Sequence, residues 1–274
     1  MRIAIVGTGL IGASLGLAWR AAGYVVAGCD AEPAALDAAF ARGAFSSAVS
    51  FDEARSSDVL VLATPIDVVC ALLEHLRDGG NRPKVTFDVA SLQGPVLRAA
   101  QGLPGFVATH PMAGREGHGA ASADAHLFEG NPWIYEPGDG EAERQVVHLI
   151  EQARGLPVAL GAAAHDRAVA VTSHLPQLLA VALAECVGRH LPEPGVRQVV
   201  GPGLRGALRL ANASWRMWRP LLEELAERDA GLVEELADDL RAIAVGLRAK
   251  HMPAVEAAME AARKVSEDLF RNTK

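Results

Sequence analysis

Close to the N-terminus, Arg2 to Val6 (RIAIV) runs straight into Gly7-Thr8-Gly9-Leu10-Ile11-Gly12, and Leu10 to Ala22 then has helical composition until Gly23. A GxGxxG segment that leaves a β-rich apolar run and opens a helix admits few folds, because each glycine has a separate task. Gly7 makes the tight turn, Gly9 lets backbone approach a pyrophosphate, and Gly12 lets the helix lie close on the strand. The free N–H groups and dipole of the helix start favour the negative charge. Asp30 closes a second apolar run, Tyr24 to Cys29, 18 residues beyond Gly12. That is near the spacing of an acid that accepts hydrogen bonds from ribose hydroxyls and repels a 2′-phosphate. The segment predicts a dinucleotide site built from Gly7, Thr8, Gly9, Leu10, Ile11, Gly12 and Asp30, with NAD preferred to NADP. Arg20 and Arg42 are the basic residues that would contest this preference by reaching a phosphate.

The rest of the first half repeats the alternation. Glu32 to Arg42 is Ala-rich and helical; Val59 to Ala63 (VLVLA) is a buried strand stopped by Thr64-Pro65, and these two residues are assigned to the cofactor site as well. Lys84 to Phe87 and Phe106 to Thr109 are further strands, and Trp133 to Glu136 and Leu156 to Leu160 flank the helix Glu141 to Arg154. Strands alternating with helices predict a parallel sheet covered on both faces. After Gly161 the texture changes to Ala, Leu, Glu and Arg with almost no strand signal. Ala162 to His190 reads as one helix kinked at Pro176, Leu191 to Gly206 as a loop, and Trp218 to Arg228 and Gly231 to Arg271 as helices. The last is too long and apolar to stand alone in water, so it calls for a helix or a second subunit to pack on. The fold class is therefore α/β: residues 1–161 a Rossmann-type domain that binds NAD, residues 162–274 an all-helical domain.

Ligands of an open α/β sheet sit beyond the carboxyl ends of its strands. Lys84 to Phe87 runs into Asp88-Val89-Ala90-Ser91, and Phe106 to Thr109 into His110-Pro111-Met112-Ala113-Gly114. A histidine directly after a strand is placed to face a nicotinamide pocket, and its ordinary pKa lets it accept a proton as a hydride leaves the same carbon. Ser91 adds a hydroxyl to the same oxygen. The bland alternative for His110 is a loop histidine bonded to backbone.

Five segments extend this reading: GTGLIGASLG at 7–16, DVASLQG at 88–94, THPMAGREGHGAASADAHLFEGNPW at 109–133, SHLPQ at 173–177 and LRLANASWRMW at 208–218. In this order they resemble the prephenate/arogenate dehydrogenase family of tyrosine biosynthesis. The resemblance implies NAD-dependent oxidative decarboxylation of prephenate or arogenate, with active sites in a cleft between the two domains and a homodimer formed through the C-terminal helices. It implies that His110 is the catalytic base and Ser91 its partner on the substrate hydroxyl. Arg209 would bind a substrate carboxylate with its guanidinium fork, with Glu116 at the pocket mouth and His174, Gln177 and Arg205 as further substrate contacts. The chain departs from the family where Gln93 replaces a lysine common after the DxxS serine, and where Gln177 replaces the last histidine of SHLPH. Gly206 stands where some relatives carry an acid, and Arg115 where Thr or Ser is common. Gln93 removes a cationic substrate contact, and the uncharged Gln177 bears on the choice between prephenate and arogenate.

Other residues carry less. His165-Asp166 reads as a cap for its own helix, and Trp215 and Trp218 as core or dimer-interface residues. The remaining histidines show no metal spacing, so no metal is expected. A net charge of −7 and pI near 5.7 disfavour nucleic acid. Three scattered cysteines, no signal-peptide pattern and no charge-free apolar run of 18 residues predict a cytoplasmic protein that does not enter a membrane. With no regulatory module expected beyond Lys274, feedback by tyrosine would act at the active site. The competing readings are a 3-hydroxyacid dehydrogenase or imino-acid reductase, and a non-catalytic NAD-binding protein.

Overall fold

The computed structural model of the chain describes residues 1–79, 82–115 and 117–271. Six strands form one sheet: β1 (Arg2–Val6), β2 (Val25–Cys29), β3 (Ser47–Ala48), β4 (Val59–Leu62), β5 (Val85–Asp88) and β6 (Phe106–Val107). Their order is β3-β2-β1-β4-β5-β6, with every neighbouring pair parallel. All four residues of β4, and Ile3 to Val6 of β1, are buried. An uninterrupted apolar strand is what a sheet covered on both faces requires. Helices α1 (Leu10–Ala21), α2 (Pro33–Ala41), α3 (Phe51–Ala54), α4 (Ile66–Asp78), α5 (Gly94–Ala99) and α6 (Glu141–Gln152) connect and cover these strands. Trp19 of α1, with no exposed surface, donates its indole N–H to the Leu149 carbonyl of α6 at 2.9 Å and meets Phe87 of β5 edge-on at 6.1 Å. Truncating such a side chain to alanine costs about 3–5 kcal/mol.

The single strand expected over Phe106 to Thr109 divides. β6 ends at Val107, and β7 (Thr109–Pro111) starts a second sheet with β8 (Pro132–Tyr135) and β9 (Leu156–Ala159), β7 antiparallel and β9 parallel to β8. The cause is the Asp88 carboxylate, which takes the Thr109 N–H at 3.1 Å and removes that donor from any continued ladder with β5. His110 therefore stands inside β7, opposite Ile134, rather than in a loop after a strand.

Beyond β9 the described chain is helical: α7 (Ala162–Val169), a π-turn (Ala170–His174), α8 (Leu175–His190), α9 (Pro202–Leu208), α10 (Trp215–Glu224), α11 (Ala226–Arg248) and α12 (Met252–Phe270), with 3₁₀ turns at Arg197–Val199 and Arg209–Asn212. The kink expected at Pro176 takes the form of the π-turn, which widens the helix just where proline lacks an N–H and its ring would strike the preceding turn. The loop expected over Leu191 to Gly206 contains the start of α9. The helix expected over Gly231 to Arg271 is broken at Ala249 to His251, where Lys250 has φ 54° and Pro253 opens α12. The one expected over Trp218 to Arg228 breaks at Leu225.

By packing, the chain forms two units, residues 1–169 with 214–224, and residues 170–213 with 225–274. Within the first, Arg98 of α5 pairs with Glu224 of α10 at 2.7 Å. Within the second, α8 packs on α9, on the turn Arg209–Asn212 and on α11. The continuous helix Ala162–His190 contains an 18-residue window of mean hydropathy 1.3 with no more than two charges. By length and composition it is therefore long and apolar enough to cross a bilayer, which a search for a charge-free run passes over. Of that window 28% is buried, and the helix carries the buried polar residues His174 and Gln177 at and just after its π-turn.

Candidate nucleotide loop and active site

The glycine loop lies at the switch point between β1 and β4, where the strand order reverses. Gly7 has φ +96°, and a Cβ there would lie 2.5 Å from the Ala63 carbonyl oxygen; at Gly12 it would lie 1.9 Å from the Gly7 oxygen. Both positions accept no side chain. A Cβ at Gly9 would meet nothing within 4 Å, so that space is open. Gly9 is the N-cap of α1 and supplies no side-chain cap. Leu10 and Ile11 follow as the first residues of α1. Beside the loop, the Thr64 hydroxyl is buried with no partner among the described residues, and the exposed Pro65 caps α4. An uncapped helix start, open space over Gly9 and an unused hydroxyl are what a phosphate-bearing ligand would occupy. Asp30 closes β2 and accepts from the Thr8 N–H at 2.6 Å, the Thr8 hydroxyl at 2.8 Å and the Glu32 N–H at 3.0 Å. Its carboxylate is thus fixed at the loop's edge. Arg20 donates to the Gly43 and Phe45 carbonyls and Arg42 to that of Ala123, so both guanidiniums have backbone acceptors.

The second cluster is organised by Asp88. With no exposed surface, its carboxylate accepts from Ala90 N–H at 2.8 Å and Thr109 N–H at 3.1 Å. The first of these residues precedes Ser91 and the second precedes His110, so one carboxylate fixes both segments. Burial pushes the Asp88 carboxyl up to about 7, against the opposing pull of the two N–H groups. Trp133 of β8 donates to the Thr109 hydroxyl at 2.9 Å, which in turn donates to the Asp88 carbonyl oxygen.

His165 and Asp166 overturn the expectation that they cap their own helix. His165 Nε2 lies 2.9 Å from His110 Nδ1, with the rings edge-on at 84°, and His165 Nδ1 lies 2.8 Å from Asp166 Oδ1. Asp166 also accepts from the Gln93 N–H at 2.9 Å and the Gly94 N–H at 2.8 Å, which puts its carboxylate at the start of α5. Burial raises the Asp166 carboxyl, but the bonds from His165, Gln93 and Gly94 outweigh it and hold the group below the usual range. Sequence reasoning missed this pair because 55 residues separate His110 from His165; the adjacent His and Asp in an Ala-rich helix were the available signal. The Gln93 side chain is fully buried, and neither amide atom has a partner among the described residues.

The helical unit holds the other expected residues. His174 is fully buried, with Nδ1 2.9 Å from Asp229 Oδ2; Gln177, three residues on, is 6% exposed. Arg205 and Arg209 are exposed, the first near the end of α9 and the second opening the turn Arg209–Asn212. Glu116 lies outside the described residues. Trp215 is exposed and Trp218 half-buried, both on α10. Among the described residues no group of three His, Cys, Asp or Glu side chains is placed to hold a metal ion.

A parallel sheet with a glycine loop, an open helix start and a terminal aspartate at its switch point defines a Rossmann-type dinucleotide-binding protein. Comparison with known proteins narrows this. Residues 15–157 match the family model of the prephenate dehydrogenase nucleotide-binding domain, and residues 161–261 that of the prephenate dehydrogenase dimerization domain. The chain is 32% identical over 264 residues to the probable prephenate dehydrogenase NovF of Streptomyces niveus, covering 89% of this chain and 68% of that protein. It is 28% identical to the prephenate dehydrogenase of Lactococcus lactis, covering 97% and 77% respectively. Its fold matches the crystal structure of the A. aeolicus prephenate dehydrogenase in complex with hydroxyphenyl propionate and NAD+, with a TM-score of 0.87 at 22% identity over 98% of each chain. The chain belongs to the prephenate dehydrogenase family.

Proposed function

We propose that this chain is an NAD-dependent prephenate dehydrogenase, converting prephenate to 4-hydroxyphenylpyruvate in tyrosine biosynthesis. The observation that carries the reading beyond family membership is the Asp88 clamp, which holds the Ser91 segment and the His110 strand on one buried carboxylate at the end of β5. When bound, NAD supplies the hydride acceptor. His110 takes the proton of the ring hydroxyl as the hydride leaves the same carbon, and Ser91 orients that hydroxyl. Loss of CO2 then leaves an aromatic ring, which drives the reaction forward. Arg209 holds a substrate carboxylate, a task that suits an exposed guanidinium with no ion pair among the described residues. Arg205, His174, Gln177 and Glu116 are assigned to the same substrate.

Asp30 at the loop's edge, with Arg20 and Arg42 both engaged by backbone carbonyls, supports NAD over NADP. A homodimer through the helical unit is supported by its uncovered apolar surface: Val245, Leu247, Met259, Val265, Leu269 and Phe270 are all more than half exposed, and α12 buries no residue. A cytoplasmic location accords with this chemistry. The test is NADH formation with prephenate and with arogenate, side by side. Activity with prephenate is expected, and none with either substrate refutes the proposal. His110→Asn should lower kcat by roughly 10²–10⁴-fold with NAD affinity kept, and Arg209→Ala should chiefly raise KM for prephenate. Equal loss of turnover and NAD binding in the first, or an unchanged KM in the second, removes the residue from its role.

A further inference from the structure

We propose that His165 and Asp166 are positioning residues that fix the tautomer of His110, so that its Nε2 presents a lone pair to the substrate hydroxyl. This rests on the reading of His110 as the base. The three side chains form an unbroken chain, His110 Nδ1 to His165 Nε2 at 2.9 Å and His165 Nδ1 to Asp166 Oδ1 at 2.8 Å. His165 and Asp166 are 1% and 8% exposed, so the bond between them is shielded from water, and the bond to His110 is partly so.

The direction of each bond follows from the far end. Asp166 is anchored by two backbone N–H groups and its carboxyl is held below the usual range, so it is ionised and acts only as an acceptor. His165 must then present Nδ1–H to it. In the neutral ring this leaves Nε2 as an acceptor, which takes the Nδ1–H of His110 and leaves His110 Nε2 unprotonated. As His110 gains the substrate proton it becomes an imidazolium, and the Asp166 charge stabilises it through the intervening ring. The edge-on arrangement of the rings holds the His110 plane as well as its proton. Asp166 has a second duty: by accepting from Gln93 and Gly94 it ties the same chain to the segment that carries Ser91.

The experiment uses full-length protein with NAD bound. ¹⁵N NMR of labelled histidine, with the His110 signal assigned by its loss in His110→Asn, is expected to show Nδ1–H and an unprotonated Nε2 in the neutral ring. His165→Phe keeps a ring of similar size but neither donates nor accepts. It should mix the two His110 tautomers and lower kcat on the order of 100-fold, the lower end of what a positioned base contributes. KM for prephenate and Kd for NAD should stay within about 3-fold. His165→Gln, whose Oε1 can accept from His110 Nδ1–H, should return kcat to within about 10-fold of the parent. An Nε2–H tautomer in the parent, a folded Phe variant with unchanged kcat, or a Gln variant no better than Phe each overturns the proposal. Should the Phe variant fail to fold, the parent tautomer and the Gln variant decide. If the parent turns over neither prephenate nor arogenate, the dehydrogenase reading falls, and the tautomer alone judges the relay.

Discussion

Replacing Asp88 with asparagine should change how stability depends on pH more than it changes stability at any one pH. Asp88 has no exposed surface, and its carboxyl is pushed from an ordinary 3.8 to about 7 by burial. The folded chain therefore keeps a proton that the unfolded chain releases. Stability from this source is fully present below pH 4 and is lost as pH rises through 7. At 1.36 kcal/mol per pH unit the whole effect is about 4 kcal/mol, of which about 2.5 kcal/mol falls between pH 5 and pH 8. The carboxamide of Asp88→Asn would not titrate. It would keep one acceptor for either Ala90 or Thr109 and turn its NH2 toward the other N–H, a fixed cost of about 1–3 kcal/mol. Urea unfolding, followed by the fluorescence of the buried Trp19 and Trp133, should find the variant within about 1.5 kcal/mol of the parent at pH 5 and gaining about 2.5 kcal/mol on it by pH 8, where it is the stronger of the two. A difference between the two proteins that stays within about 0.5 kcal/mol over this range would show that Asp88 takes up no proton, and the argument from its burial would fail.

Two further substitutions and a labelling rate probe other parts of the first unit. Gly9→Ala places a methyl in open space, so Tm should hold within a few degrees while NAD affinity falls by about 10-fold or more, read by calorimetry. Gly12→Ala drives the same methyl into the Gly7 carbonyl and should lower Tm markedly; equal behaviour of the two variants would refute the assignment of glycine tasks. The Cys70 thiol, raised to about 11 by burial and the nearby carboxylates of Asp88 and Glu74, should be alkylated by iodoacetamide at pH 8 about 100-fold more slowly than a thiol of ordinary pKa. A rate near that of a free peptide thiol, measured by mass spectrometry, would contradict it.

The nucleotide half was legible because its physics is local. A turn that only glycine can make, a strand before it and a helix after it all sit within the first twenty residues, and Asp30 follows at a distance set by one helix and one strand. The parallel sheet was equally plain, since strands buried on both faces are uniformly apolar. What escaped was long-range or competitive. That Thr109 gives its N–H to a carboxylate 21 residues away, splitting one expected strand into two sheets, leaves no mark on hydrophobic periodicity. The His110–His165 contact is of the same kind. In the helical half, composition gave helices, but their ends at Leu225 and at Lys250 depend on single backbone conformations that an Ala- and Glu-rich stretch does not announce. The assignments to Arg205, Arg209 and Gln177 came from resemblance, because a surface arginine looks alike whatever it serves.

The departure of β7 from the main sheet means that His110 is mounted on the smaller sheet and merely leans on the larger. Trp133 braces Thr109 from the next strand, and Gly155, where an added methyl would press on Trp133 at 3.2 Å and on Ile150 at 3.1 Å, backs that brace. Any side chain added at Gly155 would push the indole toward the strand that carries His110. Residues remote from the glycine loop thus set where the His110 ring sits, and on the proposed reading a library of variants scored for turnover alone would misread this structural corner as part of the catalytic surface.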